Sequence, residues 1–199
     1  TPVTVPYNES FSTYIVNVYC ASAIRDFGDL SASYPQTVSV GNASRIKTLT
    51  LGNDTEGYDN PHLTEFKADA NPLLEELDIT NISSFSQSLD IRNLINLKTL
   101  KAFGTNLPSV LFANGGKLNY VELPAVNDLT LKNLSYLTSD NIKVSSYDNI
   151  TTLSIEGCSS IDKVDLFNKC ENLTKVRLID VDFGTVNYDY FATKVFKLK

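Results

Sequence analysis

The amino-acid sequence predicts a mainly β fold with loops, in which short coils stack into an irregular solenoid with a parallel sheet, capped at both ends. Two observations support this prediction. The pattern apolar-x-x-apolar-x-apolar returns six times along the chain, and a second alternation of apolar and polar residues follows most of its copies. No helix-length run separates the two patterns, and a period of two is typical of strands.

The longer pattern sets the spacing of the predicted coils. Counted between first positions and including a weaker copy at Ile24 and Phe27, the intervals are 22, 28, 23, 21, 32 and 23 residues. All but one fall within the roughly 20 to 29 residues typical of leucine-rich repeats, so the sequence predicts an irregular leucine-rich-repeat solenoid. The six full copies are Ile46, Leu49, Leu51; Leu74, Leu77, Ile79; Leu97, Leu100, Ala102; Leu118, Val121, Leu123; Ile150, Leu153, Ile155; and Leu173, Val176, Leu178.

The interval of 32 residues between Leu118 and Ile150 is the exception. Leu134 and Leu137 lie midway in it, so the interval contains either two shortened coils or one coil with an excursion. The sequence leaves both interpretations open.

The stretch "PLLEELDITN", residues 72 to 81, could form one turn of an acidic amphipathic helix or one strand of the repeat. The recurrence of its pattern favours the strand. The shorter alternations predict that the returning side of each coil is also extended or irregular. They lie at Leu89 and Ile91, Val110 and Phe112, Leu129 and Leu131, and Val164 and Leu166.

The chain is predicted to form one domain with three parts. Residues 1–22 form an N-terminal cap, residues 23–185 the solenoid, and residues 186–199 a C-terminal cap. Such caps are needed because an open end of a solenoid exposes apolar surface and unpaired strand edges. The first residue is Thr1, so we expect the chain to be a fragment of a larger protein.

Composition narrows the possible functions. The net charge is -6 and the 17 basic residues are scattered, which argues against nucleic-acid binding. No apolar run approaches the roughly 20 residues of a membrane span, so we expect no membrane insertion. Cys20, Cys158 and Cys170 form no metal-binding pair, and each is expected to be a small buried apolar residue.

Two columns of residues on the predicted sheet are candidate binding positions. Asp78, Lys101, Glu122 and Arg177 belong to a polar column with Thr50 and Ser154, which either docks a partner or compensates charge between neighbouring strands. Phe103, with Tyr120 close to it, belongs to a second column and forms either a contact patch or rim packing. That second column comprises Gly52, Thr80, Phe103, Pro124, Glu156 and Ile179.

The sequence gives little support to catalysis, cofactors or metals. The single histidine, His62, has no accompanying nucleophile motif, so we expect no enzyme and no catalytic residues. A hydrolase would require a deep pocket with perturbed acids. The acidic residues of "GNDTEGYDN" depart from known calcium-loop spacing and are interpreted as a solvated turn, like Asp180, Asp182 and Asp189.

Several segments resemble leucine-rich-repeat segments of virion proteins of tailed phages of gut bacteria, and of related bacterial surface proteins. They include "NPLLEELDITN", "YDNITTLSIEGCSSID", "ENLTKVRLIDVDF" and the succession "FANGGKL", "LPAV", "LKNLSYL", and the resemblance covers about residues 20 to 185. It implies a non-enzymatic binding or structural module of a head or tail protein, located in the virion. The expected partners are a virion subunit, including another copy of itself, or a protein or glycan of the host cell surface. The alternative is a secreted or surface-anchored bacterial leucine-rich-repeat adhesin.

Overall fold

The computed structural model describes residues 26–29, 37–39, 45–59, 62–67 and 71–180. The two predicted caps, residues 1–22 and 186–199, lie outside the described residues. Within the described part the chain is mainly β, with parallel sheets connected by loops, as the sequence predicts.

The strands are short, from two to five residues, and β3, β5 and β7 bury one side chain each. They are β1 (Asp26–Asp29), β2 (Thr37–Ser39), β3 (Thr48–Thr50), β4 (Glu65–Lys67), β5 (Glu76–Asp78), β6 (Leu89–Asp90), β7 (Thr99–Lys101), β8 (Val110–Leu111), β9 (Tyr120–Leu123), β10 (Asp128–Lys132), β11 (Ile142–Val144), β12 (Thr152–Glu156) and β13 (Lys175–Leu178). The helical elements among the described residues are α1 (Lys163–Lys169) and two 3-10 turns, Ser139–Asn141 and Tyr147–Asn149.

The largest sheet, which we call the first sheet, has six parallel strands in the order β1-β3-β5-β7-β9-β11. Neighbouring strands are therefore alternate strands of the sequence. The second sheet contains β10, β12 and β13, also parallel, and two further parallel pairs join β2 with β4 and β6 with β8.

One inward side chain from each of five strands occupies the same register position in the first sheet. Leu49, Leu77, Leu100, Val121 and Ile142 are aligned by strand pairing, and none is more than 1% exposed. Burial of each such side chain contributes about 1.5–3 kcal/mol. The apolar interior is therefore continuous from β3 to β11, and "LLEELDI" forms a strand rather than a helix.

The long interval after Leu118 contains two strands, one in each sheet. β10 opens the second sheet, and β11 returns to the first sheet, where Ile142 pairs with Val121. The first apolar position of the motif before β11 is occupied by Ser139, which is why the pattern is not recognisable there.

The prediction that the last two motif copies continue the first sheet is wrong. Leu153 of β12 pairs with Leu129 of β10, and β13 pairs with β12, so both copies belong to the second sheet. The intervals along the two sheets are alike, 23 residues from Leu77 to Leu100 and 23 from Leu153 to Val176. Spacing alone therefore does not distinguish the two sheets.

The prediction of an extended segment at Val164 and Leu166 is also wrong, because these residues lie in α1. Asp162 caps this helix by accepting hydrogen bonds from the backbone N–H groups of Val164 and Asp165. Leu166 and Phe167 are both fully buried. Adjacent side chains point to opposite faces of a strand, so a strand here would leave one of them exposed. The other returning segments are extended as predicted, in β6, β8 and β10.

Asparagine side chains connect successive turns by donating to backbone carbonyl oxygens of the preceding turn. Asn81 donates to Asn53, Asn96 to Pro72, Asn106 to Ser83 and Asn172 to Asp148, over 2.6–2.9 Å. Asn81 and Asn133 also have a left-handed backbone, with φ of 57° and 53°. The four side-chain bonds therefore join segments that lie 23 to 28 residues apart in the sequence.

Candidate functional site

The outward polar residues of the first sheet form the candidate binding face predicted from the sequence. Strand pairing places Thr50, Asp78, Lys101 and Glu122 side by side, as predicted. The next position is occupied by Lys143 of β11, not by Ser154. From Asp78 onward the charges along this row alternate in sign, and neighbouring positions are about 4.8 Å apart. We call these residues, together with Tyr120, the sheet face.

One pair of neighbouring charges in this row, Lys101 and Asp78, forms an ion pair between strands. Nζ of Lys101 lies 3.9 Å from Oδ2 of Asp78. Oδ1 of Asp78 also accepts a hydrogen bond from the backbone N–H of Thr80. The Lys101 side chain is 41% exposed, and such surface pairs contribute only about 0–1 kcal/mol. The ammonium group therefore remains accessible to a partner.

Tyr120 is held in place by its neighbour on the same strand. Its hydroxyl donates a short hydrogen bond, 2.5 Å, to Oε1 of Glu122. This bond raises the pKa of Tyr120 above its ordinary value, so the hydroxyl stays protonated at neutral pH. The result is a fixed, half-buried aromatic ring with a polar edge on the sheet face.

Phe103 and Tyr120 do not form the predicted patch. The register places Tyr120 beside Thr99, four residues before Phe103. Phe103 is half-buried two residues after β7, and its neighbours in the predicted column, Thr80 and Pro124, are buried. These three residues therefore form a packed rim rather than an exposed apolar surface.

Arg177 lies outside the sheet face because β13 belongs to the second sheet. There its guanidinium donates a 2.6 Å bond to Glu156, and Lys132 lies 3.4 Å from the same carboxylate oxygen. These two cations lower the pKa of Glu156, chiefly through the hydrogen bond from Arg177. Arg177 and Glu156, one from each predicted column, therefore belong to a separate set of ion pairs on the second sheet.

A second ion network on the first sheet was not predicted. Glu75 accepts a bond from Lys47 at 2.5 Å and another from Lys98 at 2.6 Å. The hydrogen bonds from Lys47 and then Lys98 lower the pKa of Glu75 to about 2. The signal was available in the sequence, because the three residues follow one another at the same 28- and 23-residue spacing as the buried leucines.

The remaining chemically active residues do not converge in the described part of the chain. His62, Asp54 and Glu56 are exposed in loops, and Asp59 accepts a hydrogen bond from the backbone of Ser83. Among the described residues, no group of three or more potential metal ligands is present. Asp180 is exposed, whereas Asp182 and Asp189 lie outside the described residues.

Two cysteines are buried in the apolar interior, as predicted, while Cys20 lies outside the described residues. Burial raises the pKa of Cys158, so its thiol stays protonated. Leu134, whose backbone N–H contacts the Cys158 sulfur, also lines a small crevice that has no titratable side chain. It is formed by Ile91, Leu94, Leu97, Phe112, Ala113, Gly116, Leu118 and Leu134.

Comparisons with known proteins identified no similar sequence or structure. No protein-family model, curated protein or solved structure matches the chain. In the described residues, no helix is both long enough and apolar enough to span a membrane.

Proposed function

We propose that the chain is a leucine-rich-repeat solenoid that acts as a non-enzymatic binding or structural module of a phage virion protein. The module contacts a virion partner or the bacterial surface through the sheet face. The observation that best supports a solenoid is the parallel pairing of the first sheet. Its aligned buried residues recur at intervals of 28, 23, 21 and 21 residues, at Leu49, Leu77, Leu100, Val121 and Ile142. Stacked repeats of this size are the hallmark of a solenoid.

The sheet face supports a binding role through its rigidity. Its side chains project from hydrogen-bonded strands over a closed apolar interior, so little conformational entropy is lost when a partner docks. Lys101 and Lys143 offer cations, Asp78 and Glu122 offer carboxylates, and Tyr120 offers an aromatic ring. Aromatic and charged groups on a preformed surface suit a protein or glycan partner.

The virion setting rests on the resemblance of the repeat segments to those of tailed phages of gut bacteria. A secreted or surface-anchored bacterial adhesin is the second candidate, because the same segments resemble bacterial surface proteins. A virion subunit would assemble with other copies or other subunits. An adhesin segment would remain monomeric and bind cells through one open face.

The proposal is tested by light-scattering mass of the purified chain and by its retention on intact gut bacterial cells. Tyr120→Ala and Lys101→Ala are the test variants, and Lys175→Ala on the second sheet is the matched control. We expect the test variants to lose retention, or oligomer mass, with little change in thermal stability. Equal behaviour of test and control variants in both assays would contradict a role for the sheet face.

A further inference from the structure

Two of the most exposed large apolar side chains in the described part of the chain lie in the turns that precede β5 and β7. Leu73 is 44% exposed and Ile95 is 51% exposed. Pro72 beside them is also exposed, as are Arg45 before β3 and Lys117 before β9. We call these five residues the basic corner.

Hydrogen bonds between successive turns fix the order of these residues along the stack. Nδ2 of Asn96 donates to the carbonyl oxygen of Pro72, and the backbone N–H of Lys117 donates to the carbonyl oxygen of Ile95. Arg45 lies two residues before Lys47, whose carbonyl oxygen accepts from the backbone of Glu75. Arg45, Leu73, Ile95 and Lys117 therefore occupy four consecutive levels of the stack.

The basic corner is positively charged within a chain of net charge -6. No salt bridge joins Arg45 or Lys117 to a carboxylate of the described residues. Lys47 and Lys98 lie next to the corner and share the single carboxylate of Glu75. The neighbouring strand starts thus carry four cations, Arg45, Lys47, Lys98 and Lys117, against two described carboxylates, Glu75 and Glu76. This excess of positive charge beside exposed apolar side chains suits an anionic ligand with an apolar group.

The spacing of the corner defines that ligand further. Four levels at about 4.8 Å place Arg45 and Lys117 roughly 14 Å apart, with Leu73 and Ile95 between them. An extended peptide covers about 3.4 Å per residue, so residues four apart span the same distance. Residues i, i+2 and i+4 of a strand also point to one side.

We propose that the basic corner binds an extended acidic peptide segment of a partner protein. Two carboxylates four residues apart contact Arg45 and Lys117, and an apolar side chain midway between them lies on Leu73 and Ile95. The small apolar centre favours one inserted side chain over a lipid surface, which needs a broader apolar area. This site is separate from the sheet face.

The test is fluorescence anisotropy with the labelled peptide Gly-Glu-Thr-Leu-Thr-Glu-Gly at low ionic strength. Control peptides replace both glutamates with lysine, or the leucine with serine. We expect the first control to abolish binding and the second to weaken it. We also expect Arg45→Glu with Lys117→Glu to weaken binding of the probe about tenfold or more. Leu73→Ser should weaken it less, and Lys175→Glu, a matched exposed lysine of β13, should leave it unchanged.

Other outcomes would overturn the assignment. Equal binding of the acidic probe and the control peptides, or no binding of the probe, would contradict it. Binding to phosphatidylglycerol vesicles that depends on Arg45 and Lys117, without binding of the probe, would replace the peptide with a lipid surface. None of these results alters the test of the sheet face, because Tyr120 and Lys101 are unchanged in the corner variants.

Discussion

Gly104, three residues after β7, provides a sharp test of how closely the segments that follow β5 and β7 approach each other. Gly104 has φ of +69°, and a Cβ atom added there would lie only 2.0 Å from Oδ1 of Asn81. Asn81 cannot easily move away, because its Nδ2 donates to the carbonyl oxygen of Asn53. We therefore expect Gly104→Ala to disturb both turns.

The expected cost has two parts. A non-glycine residue in the left-handed region costs about 1–2 kcal/mol. Displacing the Asn81 side chain removes a hydrogen bond worth about 0.5–1.5 kcal/mol. Together these predict a loss of about 1.5–3.5 kcal/mol for Gly104→Ala. Gly115 has a similar φ of +72° but no atom within 4 Å of the added Cβ, so Gly115→Ala should cost only the first part.

Urea denaturation followed by circular dichroism measures both costs under the same conditions. The double variant Asn81→Gly with Gly104→Ala adds a further check. In the Asn81→Gly background the cost of Gly104→Ala should fall towards that of Gly115→Ala, because Oδ1 is gone and only the Cα atom of residue 81, 3.0 Å away, still opposes the added Cβ. Equal costs for Gly104→Ala and Gly115→Ala in the unmodified chain would refute the close approach of the two turns.

Three further predictions concern other layers of the structure. Glu75→Gln should lower stability at neutral pH but make little difference near pH 2. The folded-state pKa of about 2 lies below the ordinary glutamate value of 4.5, so its stabilisation exists above about pH 4.5 and is lost as the pH falls. Urea titrations at several pH values test this. Leu153→Ala removes a side chain that is 0% exposed and should cost about 2–5 kcal/mol by thermal unfolding. Tyr147→Phe removes the hydroxyl that donates to the carbonyl oxygen of Ile142 and should cost about 0.5–1.5 kcal/mol, whereas Tyr136→Phe, on a side chain 61% exposed, should cost less.

The strands were predictable where both neighbours of an inward residue are polar. Leu77 and Leu100 lie in such alternations, and their equal environments on successive levels produced the motif. β11 was missed because Ser139 replaces an apolar residue. α1 was missed because Val164 and Leu166 also follow the alternation typical of a strand. The helix is favoured by the N-cap that Asp162 provides and by the burial of Phe167 next to Leu166.

The candidate site was predictable only in part, for a related reason. The neighbourhood of Asp78, Lys101 and Glu122 followed from the repeat because all three strands belong to the first sheet. Arg177 was placed beside them because the repeat interval is the same in the second sheet. Sequence spacing specifies the interval between neighbouring strands but not which of the two sheets a strand joins.

The most direct test of the account is disulfide formation between cysteines placed on neighbouring strands. In a Cys20→Ser background, Glu122→Cys with Lys143→Cys should form a disulfide in mild oxidant, because register-matched neighbours lie within the Cα range of about 4.4–6.8 Å. Glu122→Cys with Ser154→Cys should stay reduced, since Ser154 pairs with Thr130 in the second sheet. Mass spectrometry without reductant measures both. A disulfide in the second pair and none in the first would contradict the division of the strands between two parallel sheets, on which the proposed binding face depends.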